Sequence, residues 1–461
     1  MTNIVRLLSL TIKNIKNVNE GKIVMPNSTS NYPVKDKADV LGLYGQNGSG
    51  KTAVIDTMYY LQQVLLGFSV EADLADYISE DLTEASVEAV YNIFIDESVF
   101  EVTYKVIFSR EDRLAVISKE VLSCSRIEGD SRSKKTVFLE FNRDSAEIKP
   151  AVRVQEIIAA NPENKTDLIV AKKMAEKSNC SYIFGESGRE IFLQDYDNGF
   201  REYSEIIKTL HEYAVRDLFV IRNLHSGVIS AQLLLPMAFR IDETEGSSKG
   251  DLPVLLREPI VLPLEEKDIL TRIISQINIV IGKIIPGLKI TIREYGIQSL
   301  DNGEDGYKLE LMSKREGQSE IPIRMESEGI VKIISILSAL IQAYNQPSVC
   351  MVIDELDAGI FEFMLGELLD IFDEEGKGQL IFTSHNLRAL EMLDTDKIMF
   401  STTNPNNRYI KMKHIRSGHN FRKQYIKSLT LGGQDEIVYD ETSSLKIARA
   451  FRKAGRSIGE C

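Results

Sequence analysis

The chain has 461 residues, 43% of them hydrophobic and 27% charged, the balance of a protein that buries a sizeable core. At about 150 residues per domain, that length allows two to four lobes. Lys and Arg total 55 against 68 Asp and Glu, a formal charge of −13. General attraction to nucleic acid or acidic membranes is thereby excluded, and any such contact needs a local basic patch.

Cys124, Cys180, Cys350 and Cys461 stand in no CxxC spacing, and no zinc site is legible. Scattered cysteines fit a reducing cytosol. The opening stretch MTNIVRLLSLTIKNIKN lacks a signal pattern, and no uncharged apolar run approaches the ~18 residues that a membrane span needs. A soluble, cytoplasmic protein is the expectation.

Residues 4–25 alternate apolar and polar and predict an edge hairpin or two strands. Val40 to Tyr44 predicts a short strand ended by a Gly/Asn/Ser loop, and Lys51 to about Gly67 predicts a helix with Val54, Met58, Leu61 and Leu65 on one stripe. Period-two runs between 86 and 142 predict an antiparallel sheet. From 151 to about 250 helical periodicity takes over, in VQEIIAANPE, DLIVAKKMAEK and YSEIIKTLHEYAV. It ends in the polar stretch ETEGSSKGD, predicted as a loop or linker.

After 263, EEKDILTRIISQINIVIGKII predicts an amphipathic helix stopped by Pro286-Gly287. KITIREY, YKLELMSK and IPIRM predict strands, and Gly329 to Tyr344 an apolar helix. SVCMVID predicts a central parallel strand buried on both faces. FEFMLGELLDIF predicts a helix, QLIFTS a second buried strand and HNLRALEML a further helix.

Gly45-Gln46-Asn47-Gly48-Ser49-Gly50-Lys51-Thr52 satisfies G-x-x-x-x-G-K-[ST] between a predicted strand and a predicted helix. Glycines let successive N–H groups face one anion, and the helix N-terminus adds its positive end. Lys51 then suits the β- and γ-phosphates, and the Thr52 hydroxyl suits Mg²⁺. Asp354 and Glu355 end the SVCMVID strand. Asp354 fits the Mg²⁺ shell, and Glu355 fits a base that orients the attacking water.

Two further motifs fall in step, and a third does not. Ser327-Glu328-Gly329 opens the apolar helix, where the serine hydroxyl and glycine N–H suit either a γ-phosphate or a plain N-cap. Leu431-Gly432-Gly433-Gln434 is a decoy for that role, because it follows Asp354 and opens no suitable helix. His385, after the second buried strand, suits a neutral imidazole that senses the γ-phosphate.

GQNGSGKT, SEG, VIDELDAGI and FTSHN, in this order, resemble the RecF/SMC-like (ABC-type) AAA family ATPases, which include ATPase subunits of bacterial phage-defence systems. The resemblance implies an α/β fold, an ABC-type P-loop ATPase head with an antiparallel β lobe and an inserted helical lobe. It divides the chain into 1–150 and 256–400 as the two parts of the head, 151–255 as the helical insertion and 401–461 as a basic extension. It also implies ATP and Mg²⁺ as cofactors and a head-to-tail homodimer or higher oligomer. Within it Lys51, Glu355 and His385 would carry catalysis, Ser327 and Gly329 would meet the other copy's nucleotide, and Asp357 would contact the other copy. A separately encoded nuclease or toxin is the implied partner; a DNA-repair ATPase, a transporter subunit and an ATP-locked scaffold are the alternatives. The glutamine of the usual Q-loop has no legible counterpart, since Gln62 and Gln63 lie inside the first helix.

Arg408, Lys411, Lys413, Arg416, Arg422, Lys423 and Lys427 form an acid-free basic stretch interleaved with Tyr409, His414, His419, Phe421 and Tyr425. Such a stretch suits nucleic acid, an acidic partner protein or plain solvation. LKIARAFRKAGR near the end of the chain leaves the same three readings open.

Overall fold

The computed structural model describes residues 3–29, 33–79, 82–129, 131–145, 147–223, 234–243, 246–300, 303–412, 422, 425, 436–439 and 443–457. Strands β1 (Ile4–Ile15) and β2 (Val18–Val24) form a hairpin turned at Lys16 and Asn17. Next come β3 (Asp39–Tyr44) and helix α1 (Lys51–Leu65). The period-two segment supplies β4 (Glu84–Ile95), β5 (Ser98–Glu111), β6 (Leu114–Glu128), β7 (Ser131–Arg132) and β8 (Thr136–Asn142). They make an antiparallel sheet of order β2-β1-β4-β5-β6-β7, with β8 also on β6. Along β4, Ala85, Val87, Ala89, Tyr91 and Ile93 all point inward, the alternation that the pleat demands.

Helices α2 (Ala151–Ala160), α3 (Asn164–Ser178), α4 (Glu186–Phe192) and α5 (Arg201–Arg216) follow. They share one core with the antiparallel sheet rather than standing off it. Phe138 stacks on Tyr203 at 4.6 Å between ring centroids, Phe141 on Tyr182 at 5.2 Å, and Tyr104 meets Phe184 edge-on at 5.3 Å. Buried Glu120 of β6 ties the two layers. Its Oε1 accepts from the Tyr104 hydroxyl at 2.6 Å and the Ser181 hydroxyl at 2.5 Å, and its Oε2 from the Tyr182 N–H at 2.7 Å.

Helical structure stops at Arg216, short of the position of about 250 expected from periodicity. Leu218–Ile221 is strand β9 of the central sheet, and β10 (Leu234–Glu243) pairs with β11 (Gly246–Leu255) across most of the expected linker. A four-residue apolar run has no period to read, so only its partners reveal it as a strand.

The remainder comprises β12 (Ile260–Leu262), α6 (Leu264–Ile284), β13 (Leu288–Ser299), β14 (Asp305–Arg315), β15 (Ile321–Pro322) and α7 (Glu328–Asn345). Then come β16 (Cys350–Ile353), α8 (Glu362–Glu375), β17 (Gln379–Thr383), α9 (Ala389–Met392), β18 (Ile398–Ser401), β19 (Tyr409–Ile410) and α10 (Ser444–Ser457). IPIRM pairs only at Ile321–Pro322 before a 3-10 turn, where Pro322 withholds a ladder donor. HNLRALEML shrinks to the single turn α9.

The central sheet runs β19-β18-β3-β17-β16-β9, parallel throughout except at β19. Leu41, Leu43, Val352 and Ile381 enter the core shared with α1 and the antiparallel sheet, while Val40, Met351, Ile353, Leu380 and Phe382 enter a second core with α6, α7 and α8. Both faces are covered, which is why these strands read as unbroken apolar runs. Ile353 pairs with Phe382 and Thr383 with Leu43, so the loops after β3, β16 and β17 emerge together at one carboxyl edge. No helix of the described residues is long and apolar enough to cross a membrane.

Candidate functional site

The loop Gly45–Thr52 joins β3 to α1 at that edge. Gly48 and Gly50 take φ of 76° and 93°, conformations that disfavour side chains, and Gly50 caps α1. Asn47 and Gly48 form the exposed crest, and Thr52 is exposed on the first turn of α1. The Ser49 hydroxyl donates to the Gln46 carbonyl at 2.5 Å. Lys51 lies across the loop, its Nζ donating to the carbonyls of Gly45 at 2.8 Å and Gln46 at 3.1 Å. Burial pulls the Lys51 ammonium below the usual lysine range, and the charges of Asp354, Glu355 and Asp357 pull it back up.

Asp354 is buried at the end of β16. Its Oδ1 accepts from the Thr383 hydroxyl at 2.6 Å, and its Oδ2 is buried without a hydrogen-bond partner among the described residues. The same Thr383 oxygen accepts the Glu355 N–H at 2.7 Å. Glu355 has φ of 49°, a left-handed backbone uncommon for glutamate, and the Lys332 ammonium donates to its carbonyl. Asp357 Oδ2 accepts the His385 N–H at 3.2 Å, and Asp357 Oδ1 is another partnerless buried oxygen. The His385 side chain belongs to an exposed residue on this rim.

Ser327 caps α7, its hydroxyl accepting the Ile330 N–H at 3.4 Å, and the residue is exposed. Gly329 is buried against the loop after β16, with Gly359 as its neighbour. The turn is anchored from the side by Glu326, which accepts two hydrogen bonds from Arg315 at 2.6 and 2.8 Å and one from Ser313 at 2.6 Å. Burial raises the Glu326 carboxyl, and these hydrogen bonds more than offset it, leaving it below the usual carboxylate range.

Several residues here were not singled out from sequence. Lys332 is buried, and burial lowers its ammonium while Asp357, Glu355, Asp354 and Glu328 raise it. Its signal was the lone cation of a mainly apolar helix. Ser401 lies under the loop, with its hydroxyl in contact with that of Ser49 and within hydrogen-bond reach of the Tyr44 carbonyl at 3.1 Å. Asn17, at the β1–β2 turn, donates to the Gly48 carbonyl. Gln62, which the sequence placed inside the first helix, donates to the Leu218 carbonyl at 2.6 Å, a structural link away from the glycine loop.

Three described residues of the basic stretch lie in the interior. Arg408 is buried, its guanidinium donating to the carbonyls of Thr402 at 2.6 Å and of Asn17. The Tyr409 hydroxyl donates to the Gly50 carbonyl at 2.6 Å, and Tyr425 stacks on Phe400 at 4.8 Å. These three brace the loop and core and offer no surface to nucleic acid. Lys411 is half-buried, and Arg422 pairs with Glu391 at 3.2 Å. Lys413, Arg416, Lys423 and Lys427 lie outside the described residues, as does Leu431-Gly432-Gly433-Gln434.

The donor set suits a hard cation shared with phosphate oxygens. A buried carboxylate with a partnerless oxygen ends β16, Thr52 is exposed on the glycine-loop helix at the same sheet edge, and Mg²⁺ takes few protein ligands when phosphates complete its shell. No group of three or more His, Cys, Asp or Glu among the described residues could hold a metal by itself.

Fold and site thus define a mixed α/β protein with a glycine loop and an acidic strand end at the carboxyl edge of a parallel sheet. No family model matches the chain, and no curated protein matches it. Among solved structures it is similar to the Smc head domain of Pyrococcus furiosus bound to the C-terminal domain of ScpA, at 14% identity and TM-score 0.41, covering 92% of this chain and 99% of that one. It is also similar to an Smc head bound to the C-winged helix domain of ScpA, at 17% identity and TM-score 0.41, covering 88% and 98%. A third is the SMC head domain from Thermotoga maritima, at 13% identity and TM-score 0.34, covering 89% and 100%. With identity this low and superposition this loose, what the site does is read from its own residues.

Proposed function

We propose that this chain binds Mg-ATP at the Gly45–Thr52 loop and hydrolyses it as a molecular switch, with each complete site formed between two copies placed head to tail. The observation that carries this is the buried Asp354 with its partnerless Oδ2, set on the same sheet edge as a cationic glycine loop. Thr52 and Asp354 would hold Mg²⁺, whose charge offsets that of the phosphates.

The loop amides and the start of α1 cradle the phosphates, and Lys51 turns from its carbonyl partners toward the β- and γ-oxygens. Glu355 orients the attacking water and takes its proton. Its backbone is pinned by Thr383 and Lys332, which fixes the base of the side chain before substrate arrives. His385 holds the water from the other side. Ser327 and the N-terminus of α7 face outward, suited to the γ-phosphate bound by the second copy, with Asp357 at the contact.

Mixing tests this directly. Lys51→Ala and Ser327→Arg are each inactive, and together they recover part of the parent ATPase activity through mixed dimers holding one intact site. Absence of recovery sinks the shared site, and absence of Mg-ATP binding by the parent chain sinks the whole reading.

Control of a separately encoded nuclease or toxin in phage defence rests on the motif resemblance alone. It requires an effector chain that co-purifies with this one in an ATP-dependent manner. The alternative is direct action on DNA, to which Arg408, Tyr409 and Tyr425 would not contribute because they are interior.

A further inference from the structure

Away from the nucleotide edge, helices α6, α7 and α8 leave an apolar groove of about 400 Å³. Its floor is made by Leu337, Leu340 and Ile341 of α7 with Met364, Leu368 and Ile371 of α8, and Ile371 is 53% exposed. The groove lies along the C-terminal half of α7, whereas Ser327 opens the N-terminal end of that helix. Helix α8 reads EFMLGELLDIFDEE, with six carboxylates and no cation. Glu367 and Glu374 of that set are exposed, and Lys283 of α6 sits on the opposite wall.

The same chain carries the complement. Helix α10 reads SLKIARAFRKAGRS, with five cations and no acid. At 100° per residue, Ile447, Phe451 and Ala454 form one stripe, and Lys446, Arg449, Arg452 and Lys453 lie away from it. Ile447 is 45% exposed and Phe451 is 75% exposed, so these two apolar side chains lie open to solvent. From Ile447 to Ala454 the stripe runs about 10 Å, the same length as Met364 to Ile371 in the groove. Ala448 and Ala454 beside Phe451 let the helix backbone approach closely.

We infer that the α6–α7–α8 groove is the docking site for helix α10 of a second copy of this chain. Phe451 and Ile447 enter the apolar floor, while Arg449 and Lys453 meet the Glu367 and Glu374 rim. A contact so far from Ser327 leaves both nucleotide edges free. It therefore adds to any ATP-bridged dimer and forms without nucleotide.

Sedimentation velocity on the full chain without nucleotide or magnesium tests this, and keeps its outcome separate from that of the ATP site. The parent is expected to self-associate. Phe451→Glu, the helix reversal Arg449→Glu/Lys453→Glu and the rim reversal Glu367→Lys/Glu374→Lys each raise the dissociation constant about tenfold or more. All five positions are exposed, so folding is retained, as circular dichroism checks. Mixing the helix-reversed with the rim-reversed copy restores association, because each helix then meets a groove of opposite sign. A parent that stays monomeric, or reversed copies that remain apart when mixed, would overturn the inference. So would Phe451→Glu leaving self-association intact while abolishing binding to acidic vesicles or to an oligonucleotide.

Discussion

Gly329 and Gly359 touch backbone to backbone: a Cβ at position 329 would lie 1.7 Å from the Gly359 carbonyl oxygen. The start of α7 is thereby locked to the loop that carries Asp354, Glu355 and Asp357, and Gly359 itself needs φ of 75°. Gly329 therefore has a packing role within its own chain beside any role toward a second copy. Gly329→Ala cannot be absorbed by a flexible neighbour, and it should cost on the order of 3 kcal/mol by denaturant unfolding. ATPase activity should fall with it. A variant as stable and active as the parent would show that the two segments are not rigidly coupled.

Thr383 serves both acidic residues at once, donating to Asp354 and accepting from the Glu355 amide. Thr383→Val keeps the shape and removes both bonds. The expected cost is about 1–3 kcal/mol in stability, with turnover down about tenfold or more because Glu355 loses its aim. Thr383→Ser should restore most of the rate. Steady-state ATPase assays on the pair decide it, and a fully active Val variant would remove Thr383 from the site.

Glu355→Gln should bind Mg-ATP as the parent does and turn over about 100-fold more slowly or worse. With the nucleotide uncleaved, dimers should accumulate on addition of ATP, read as a mass shift by light scattering. If the variant hydrolyses at the parent rate, another residue handles the water.

Glu120 gives a pH signature. Burial pushes its carboxyl above the usual range, against hydrogen bonds from Ser181, Tyr104 and the Tyr182 amide. The folded chain then holds a proton that the unfolded chain releases near 4.5. Stability from this group accordingly falls as pH rises from there through the folded value. In Glu120→Gln that loss is absent, so its stability relative to the parent should grow between acid and neutral pH in urea titrations. Identical pH slopes would mean that the carboxylate is ionised at no cost.

What sequence alone determined was local in origin. The glycine loop, the acidic end of β16 and the cap at Ser327 were readable because short-range backbone conformation and neighbouring residue types carry them. The two-sided burial of β3, β16 and β17 was readable for the same reason, as apolar runs of strand length. Only the tertiary structure decided which distant segments complete the site. Arg408 looked like part of a basic surface, yet it is buried and bonds to Asn17 from 391 residues away. Leu218–Ile221 looked like the tail of a helical lobe until β16 gave it a partner. Lys332 and Thr383 acquire their roles from groups that the fold brings within hydrogen-bond reach. Burial and pairing depend on what packs against a residue, and periodicity along the chain carries no record of that partner.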